Sequence, residues 1–187
     1  MLGLVTPLVA FYSVTKPCQP PCEVYCLGQP GYEELRFVQP NDDNLDRIGN
    51  VNTLFNATKP AIIMIAKSAN DVISGVQWAV ANKMKVKARS GGHSYTACSL
   101  INRGLVIDVS QLDTVEPQSN GLATVGAGAK LGTIYDELLK VGLALPGGSC
   151  RTVGIAGLAL GGGHGALARE SGLTLDRIVA MDVLCAS

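Results

Sequence analysis

Lys85-Val86-Lys87-Ala88-Arg89-Ser90-Gly91-Gly92-His93-Ser94-Tyr95 reads as a short strand that runs directly into a glycine turn. Adjacent Gly91 and Gly92 free the backbone to aim its N–H groups at an anion, and Arg89 adds positive charge, so a diphosphate fits there. An ordinary tight turn with a surface arginine is the plainer reading of the same residues. The flanks decide the fold. Upstream, Ala61-Ile62-Ile63-Met64-Ile65 is a continuous apolar run, the mark of a strand buried on both faces. Between the two strands Asn70 is expected to cap a helix running through Asn82. Val72, Ile73, Val76, Ala79 and Val80 recur there at helical spacing, and Asp71 sits in the first turn, where the helix dipole favours it. Downstream, Leu105-Val106-Ile107-Asp108-Val109 is another strand, which completes a small α/β unit.

A second unit follows, with a strand at Ala123 to Ala127 and a helix from about Leu131 to Lys140 that carries Leu131, Ile134, Leu138 and Leu139 on one side. Next come Pro146-Gly147-Gly148-Ser149-Cys150-Arg151-Thr152-Val153-Gly154, Ile155-Ala156-Gly157-Leu158-Ala159-Leu160 and Gly161-Gly162-Gly163-His164-Gly165. Such small residues let something flat or extended approach the backbone closely, or let a helix pack tightly on a strand. A final apolar strand is expected from Ile178 to Leu184. The glycine spacing departs from Gly-x-Gly-x-x-Gly, Gly126-Ala127-Gly128 lacks the remaining glycine, and no Gly-Lys-Ser/Thr ending occurs. These absences argue against a dinucleotide Rossmann loop and a P-loop. Residues 1 to about 55, broken by Pro17, Pro20, Pro21, Pro30 and Pro40, read as a leader and an extended lead-in with no assigned function.

The chain has 187 residues, 47% of them hydrophobic, which is enough to bury a core in one good-sized domain or two small subdomains. Lys plus Arg equals Asp plus Glu at 15 each, so no excess field exists to hold a polyanion, which argues against nucleic acid as a partner. Cys18, Cys22 and Cys26 are evenly spaced, but Lys16 to Gln29 contains no histidine, so disulfides or plain thiols fit better than a zinc knuckle and no metal site is expected. Met1 to Val14 is apolar, lacks a basic start, carries Pro7 and is too short to span a bilayer; a weak secretory signal and a buried or frayed terminus are the two readings. With the sequon Asn56-Ala57-Thr58 it favours an extracellular or secretory-pathway location, with no membrane span.

Taken together, Lys87 to Tyr95, Gly147 to Gly154 and Gly161 to Gly165 resemble the FAD domain of vanillyl-alcohol-oxidase-type flavoproteins, and within them the berberine-bridge-enzyme-like branch. The likeness runs from about Pro60 to the C-terminus, and three ordered motifs over that length are far more specific than one loop. It implies an α+β, PCMH-type FAD-binding domain over 57–187, made of two small α/β subdomains at about 57–118 and 119–187 and ending before the domain is complete and before a substrate domain. It also implies a bound FAD attached twice, with His93 on the flavin 8α-methyl carbon and Cys150 on ring carbon C6; attachment through His93 alone is the fallback. Arg89, Ser90, Gly91, Gly92, Ser94 and Tyr95 would line the cofactor from the first loop, and Gly148, Ser149, Thr152, Val153 and Gly154 from the second. Gly157, Gly161, Gly162, Gly163, His164 and Gly165 would line it from the third. Two residues depart from the family pattern: Arg151 stands where proline is frequent and His164 where tyrosine is frequent.

By the same resemblance, the isoalloxazine takes a hydride from a small-molecule substrate, an alcohol, a sugar or a related compound, and oxygen reoxidises it. Such oxidation needs a base near the flavin. Asp108, Asp136, Glu170 and Asp176 are available carboxylates, but a cap, a turn or a surface charge explains each as well, so no catalytic residue is assigned. Three readings stand: an FAD-dependent oxidase or dehydrogenase of which this is the N-terminal part, a truncated flavin binder without turnover, and a non-flavin α/β binding module.

Overall fold

A computed structural model describes residue 20, residues 22–37 and residues 49–185; the apolar leader at 1–14 and Cys18 lie outside them. The described chain runs β1 (Glu23–Cys26), α1 (Tyr32–Arg36), β2 (Ile62–Ile65), α2 (Ala69–Ala81), β3 (Val86–Arg89), β4 (Leu105–Asp108), β5 (Val115–Pro117), β6 (Ala123–Val125), α3 (Leu131–Leu139), α4 (Ile155–Leu160) and α5 (Ala168–Ser171). Helix and sheet are mixed, as an α+β chain requires.

The four-stranded sheet has the order β1-β2-β4-β3, with β2, β4 and β3 parallel and β1 antiparallel at the edge. Both β2 and β4 are buried at every position because the two sheet faces are both covered. Alternate side chains part to opposite sides: Ile62, Met64, Leu105 and Ile107 join α2, while Ile63, Ile65 and Val106 join Tyr32, Phe37 and Leu100. Each large side chain so buried contributes about 1.5–3 kcal/mol. Sequence periodicity overlooked β1, since an edge strand needs only one apolar face and this one lies in a proline-rich stretch. The lead-in is therefore structural. Tyr32 Oη donates to Pro60 O at 2.7 Å, and burial pushes the Tyr32 phenol up to about 12.

Helix α2 meets β2 through small residues: Gly75 and Ala79 are buried, and a Cβ at Gly75 would lie 2.5 Å from Met64 Cε. Ile73 and Val80, expected on this face, point outward; Val80 is 70% exposed. The expected cap at Asn70 is corrected to Ser68, whose Oγ accepts from the Asp71 N–H at 3.2 Å while Asp71 Oδ2 accepts from the Lys67 N–H at 2.9 Å. That backbone bond holds the Asp71 carboxyl below its ordinary range. Ser68→Ala is expected to cost about 1 kcal/mol, read as a shift in the urea midpoint with unchanged slope. A midpoint equal to that of the parent protein would count against the cap.

A hairpin of β5 and β6 packs with α3 around Leu131, Ile134 and Leu138. Leu139, expected on the buried side, is 75% exposed. The strand expected at 178–184 does not form, and Val179, Met181, Val183 and Leu184 are exposed. An apolar run becomes a strand only beside a partner that completes the ladder, and none of the described strands pairs with this segment.

Candidate functional site

Backbone packing brings the first two glycine loops together. A Cβ at Gly91 would stand 2.2 Å from Gly154 N, and one at Gly154 would stand 2.4 Å from Gly91 N and 2.2 Å from Ser90 Oγ. Neither position admits a side chain while the loops touch. Ser90 Oγ donates to Ala127 O at 2.7 Å, which ties the first loop to the turn before α3. The second loop is anchored by the start of α3, whose N-cap Lys130 offers no side-chain cap. There the Leu131 N–H donates to Val153 O at 2.9 Å and the Gly132 N–H to Arg151 O at 2.8 Å.

Thr152 sits at the junction. Its hydroxyl is 3.0 Å from His93 Nε2 and 3.5 Å from Cys150 Sγ, so the imidazole and the thiol converge on one oxygen. His93 is half-buried, whereas Cys150 and Ser149 are exposed. Val153 packs beside Leu131 and Ile134. Ser94 closes the far side of the first loop by accepting from the Cys98 N–H at 2.9 Å, and Tyr95 is 88% exposed.

The third glycine loop closes on the second: a Cβ at Gly165 would lie 1.7 Å from Gly147 O. Thr174, 1% exposed, donates to Pro146 O at 2.5 Å, and its N–H donates to Gly163 O at 2.9 Å. His164 is exposed. Around Gly148, Gly157 and Gly161 there is space: a Cβ at Gly157 meets nothing within 4 Å, and the other two meet only ordinary contacts.

Arg89 requires a correction. Its side chain is wholly buried and paired with the equally buried Asp108 across neighbouring strands, so its charge is committed there and does not face the loop surface. Asp108 is thereby explained as a structural partner. Asp136 pairs with Arg151 at 2.5 Å on the surface, and Asp176 Oδ2 accepts from the Leu173 N–H at 2.7 Å; Glu170 lies in the first turn of α5. Three groups of side chains that shape the site went unread in the sequence. Asn50 and Asn52 belong to the lead-in, where the Val51 N–H donates to Gly92 O at 3.0 Å and Asn52 Nδ2 donates to Tyr95 O at 2.6 Å. Tyr135 Oη donates to Gly148 O at 2.6 Å, and burial pushes its phenol up. Thr174 is the third. All three act through a few polar bonds between segments apart in sequence, which leave no periodic trace.

Residues 60–187 match the model of a family described as FAD binding domain. An uncharacterized FAD-linked oxidoreductase, YgaK of Bacillus subtilis, is 41% identical over 152 residues, covering 81% of this chain and 34% of its own length. The BBE-like 1 structure from Physcomitrella patens superposes with a TM-score of 0.71 at 30% identity, over 85% of this chain and 32% of that one. Glucooligosaccharide oxidase from Acremonium strictum, with a 6-S-cysteinyl, 8α-N1-histidyl FAD, superposes with a TM-score of 0.61 at 36% identity, over 63% of this chain and 26% of that one. The chain spans between about a fifth and about a third of the length of the curated relatives it matches.

Proposed function

The chain belongs to the FAD-binding domain family of FAD-linked oxidoreductases, and we propose that it holds FAD through two covalent bonds, one to His93 and one to Cys150. The convergence of His93 Nε2 and Cys150 Sγ on Thr152 Oγ1 carries this reading. The 8α-methyl carbon is carried on the benzenoid ring that contains C6, so two attaching side chains must stand close together, and contacts of 3.0 and 3.5 Å to one hydroxyl bring His93 and Cys150 close. The open space over Gly157 and the ordinary contacts at Gly148 and Gly161 leave room for a flat ligand against bare backbone. A glucooligosaccharide oxidase with one cysteinyl and one histidyl bond to its FAD supports the pairing.

When bound, the flavin supplies a hydride acceptor for oxidising a small-molecule alcohol, sugar or related compound, with oxygen as the electron acceptor. The chain's own residues hold and orient it. His93 and Cys150 would fix the ring edge and the N–H groups of the first loop would hold the diphosphate, while the closed contacts Gly91–Gly154 and Gly147–Gly165 keep the three loops in register.

Acid-precipitated protein is expected to stay yellow, and peptide mapping is expected to find flavin mass on the fragments bearing His93 and Cys150. His93→Ala and Cys150→Ala should each remove one link and leave the other. A colourless precipitate from flavin-replete cells, or both links surviving either substitution, overturns the assignment. Turnover is read separately, by hydrogen peroxide release with a panel of alcohols and oligosaccharides.

A further inference from the structure

Thr152 is the side chain that His93 and Cys150 share. It is 7% exposed, while Cys150, which it meets, is an exposed residue. Its backbone is held on both sides, because the carbonyls of Arg151 and Val153 are taken by the first N–H groups of α3. The backbone that carries the hydroxyl is therefore fixed beside both neighbours, 3.0 Å from His93 Nε2 and 3.5 Å from Cys150 Sγ. A threonine hydroxyl has one proton and two lone pairs. Whatever it donates to His93 Nε2 is withdrawn from Cys150 Sγ, and the reverse. With a proton on Nε2, the imidazole donates to Oγ1 and the Thr152 proton is available to the sulfur. With Nε2 bare, Thr152 donates to the ring and offers its lone pairs to the S–H.

We propose that Thr152 is a positioning residue that couples the His93 tautomer to the hydrogen-bonding state of the Cys150 sulfur, through its hydroxyl rather than its methyl. The relevance to flavin attachment rests on the function proposed above, but the coupling is a property of the chain's own residues and is measured without flavin.

The chain has two histidines, so ¹⁵N-labelled imidazole signals of His93 can be followed with His164 as an internal reference. In flavin-free protein, Cys150→Ala is expected to change the ratio of the two His93 tautomers about fivefold, the scale of one hydrogen bond. The same substitution in a Thr152→Val background should leave that ratio unmoved, and Thr152→Ser should restore the response. His164 should not respond in any of these chains. A His93 ratio indifferent to Cys150→Ala overturns the proposal without recourse to Thr152 variants. An equal response in the valine background overturns it as well, as does a folded serine variant that behaves like valine, which would assign the role to the methyl. If the valine chain fails to fold, the parent and serine responses decide alone. Failure to carry flavin leaves every one of these signals readable, so it strikes the proposed function and not the coupling.

Discussion

Replacing Asp108 by alanine is expected to destabilise the protein by about 3–5 kcal/mol, the scale of stranding a buried charge. Arg89 and Asp108 face each other across β3 and β4 with both side chains wholly buried, and Arg89 Nε donates to Asp108 Oδ2. Arg89 Nη1 and Nη2 have no hydrogen-bond partner among the described residues, so there the guanidinium relies on that one carboxylate. Asp108 Oδ1 also accepts from the Ser110 N–H at 2.9 Å, a bond that alanine abolishes. Asp108→Asn should fall between, because it keeps an acceptor and loses the charge. The double replacement Arg89→Met with Asp108→Leu should recover most of the loss, since removing both charges removes the desolvation penalty too. Urea unfolding followed through Trp78, the single tryptophan, measures all four chains. A loss below about 1 kcal/mol for Asp108→Ala would mean that water reaches Arg89 and the pair is not sealed.

Arg89 also marks the boundary of what the sequence makes legible. Beside two glycines an arginine reads as an anion-facing charge, and only the parallel register of β3 with β4 reveals that Asp108, nineteen positions on, takes it inward. The run at 61–65 and the helix after it were legible because burial on two faces and a period of 3.6 both leave marks in residue order. Asn70 and Ser68, two positions apart, are both competent caps, and the Lys67 N–H that reaches Asp71 favours Ser68. The expected strand at 178–184 shows the limit of apolar patterning: β1 exists because β2 offers it an edge, and 178–184 has no such neighbour among the described strands. At the site, the family motifs imply His93 and Cys150 together as the two attachment points of one flavin, and say nothing of Thr152. Their meeting on Thr152 depends on the contact of Gly91 with Gly154, which is a matter of backbone approach and has no signature beyond the glycines themselves.

That contact gives the other large expected effect. Gly91→Ala puts a methyl 2.2 Å from Gly154 N, 2.9 Å from Gly154 Cα and 3.2 Å from Thr152 O, all of them backbone atoms that no rotamer change can move. The loops must separate by roughly 1 Å or the fold must absorb the overlap, at about 3 kcal/mol or more, the upper end of overpacking costs. Separation also breaks the row from His93 through Thr152 to Cys150, because the first loop moves with His93 while α3 keeps Thr152 in place. On the proposed attachment, the variant should carry flavin by one bond in most molecules, where the parent carries two, and peptide mapping of the acid-precipitated protein reads this directly. Gly157→Ala is the control: it lies within α4, has nothing within 4 Å of its Cβ, and should stabilise the flavin-free chain by about 0.5–1 kcal/mol through helix propensity. Doubly linked flavin at parental levels in Gly91→Ala, with parental stability, would show that the two loops do not depend on each other. Loss of the second link in Gly91→Ala, with gain of stability in Gly157→Ala, separates the glycine demanded by the protein's own packing from the glycine that leaves room for a ligand.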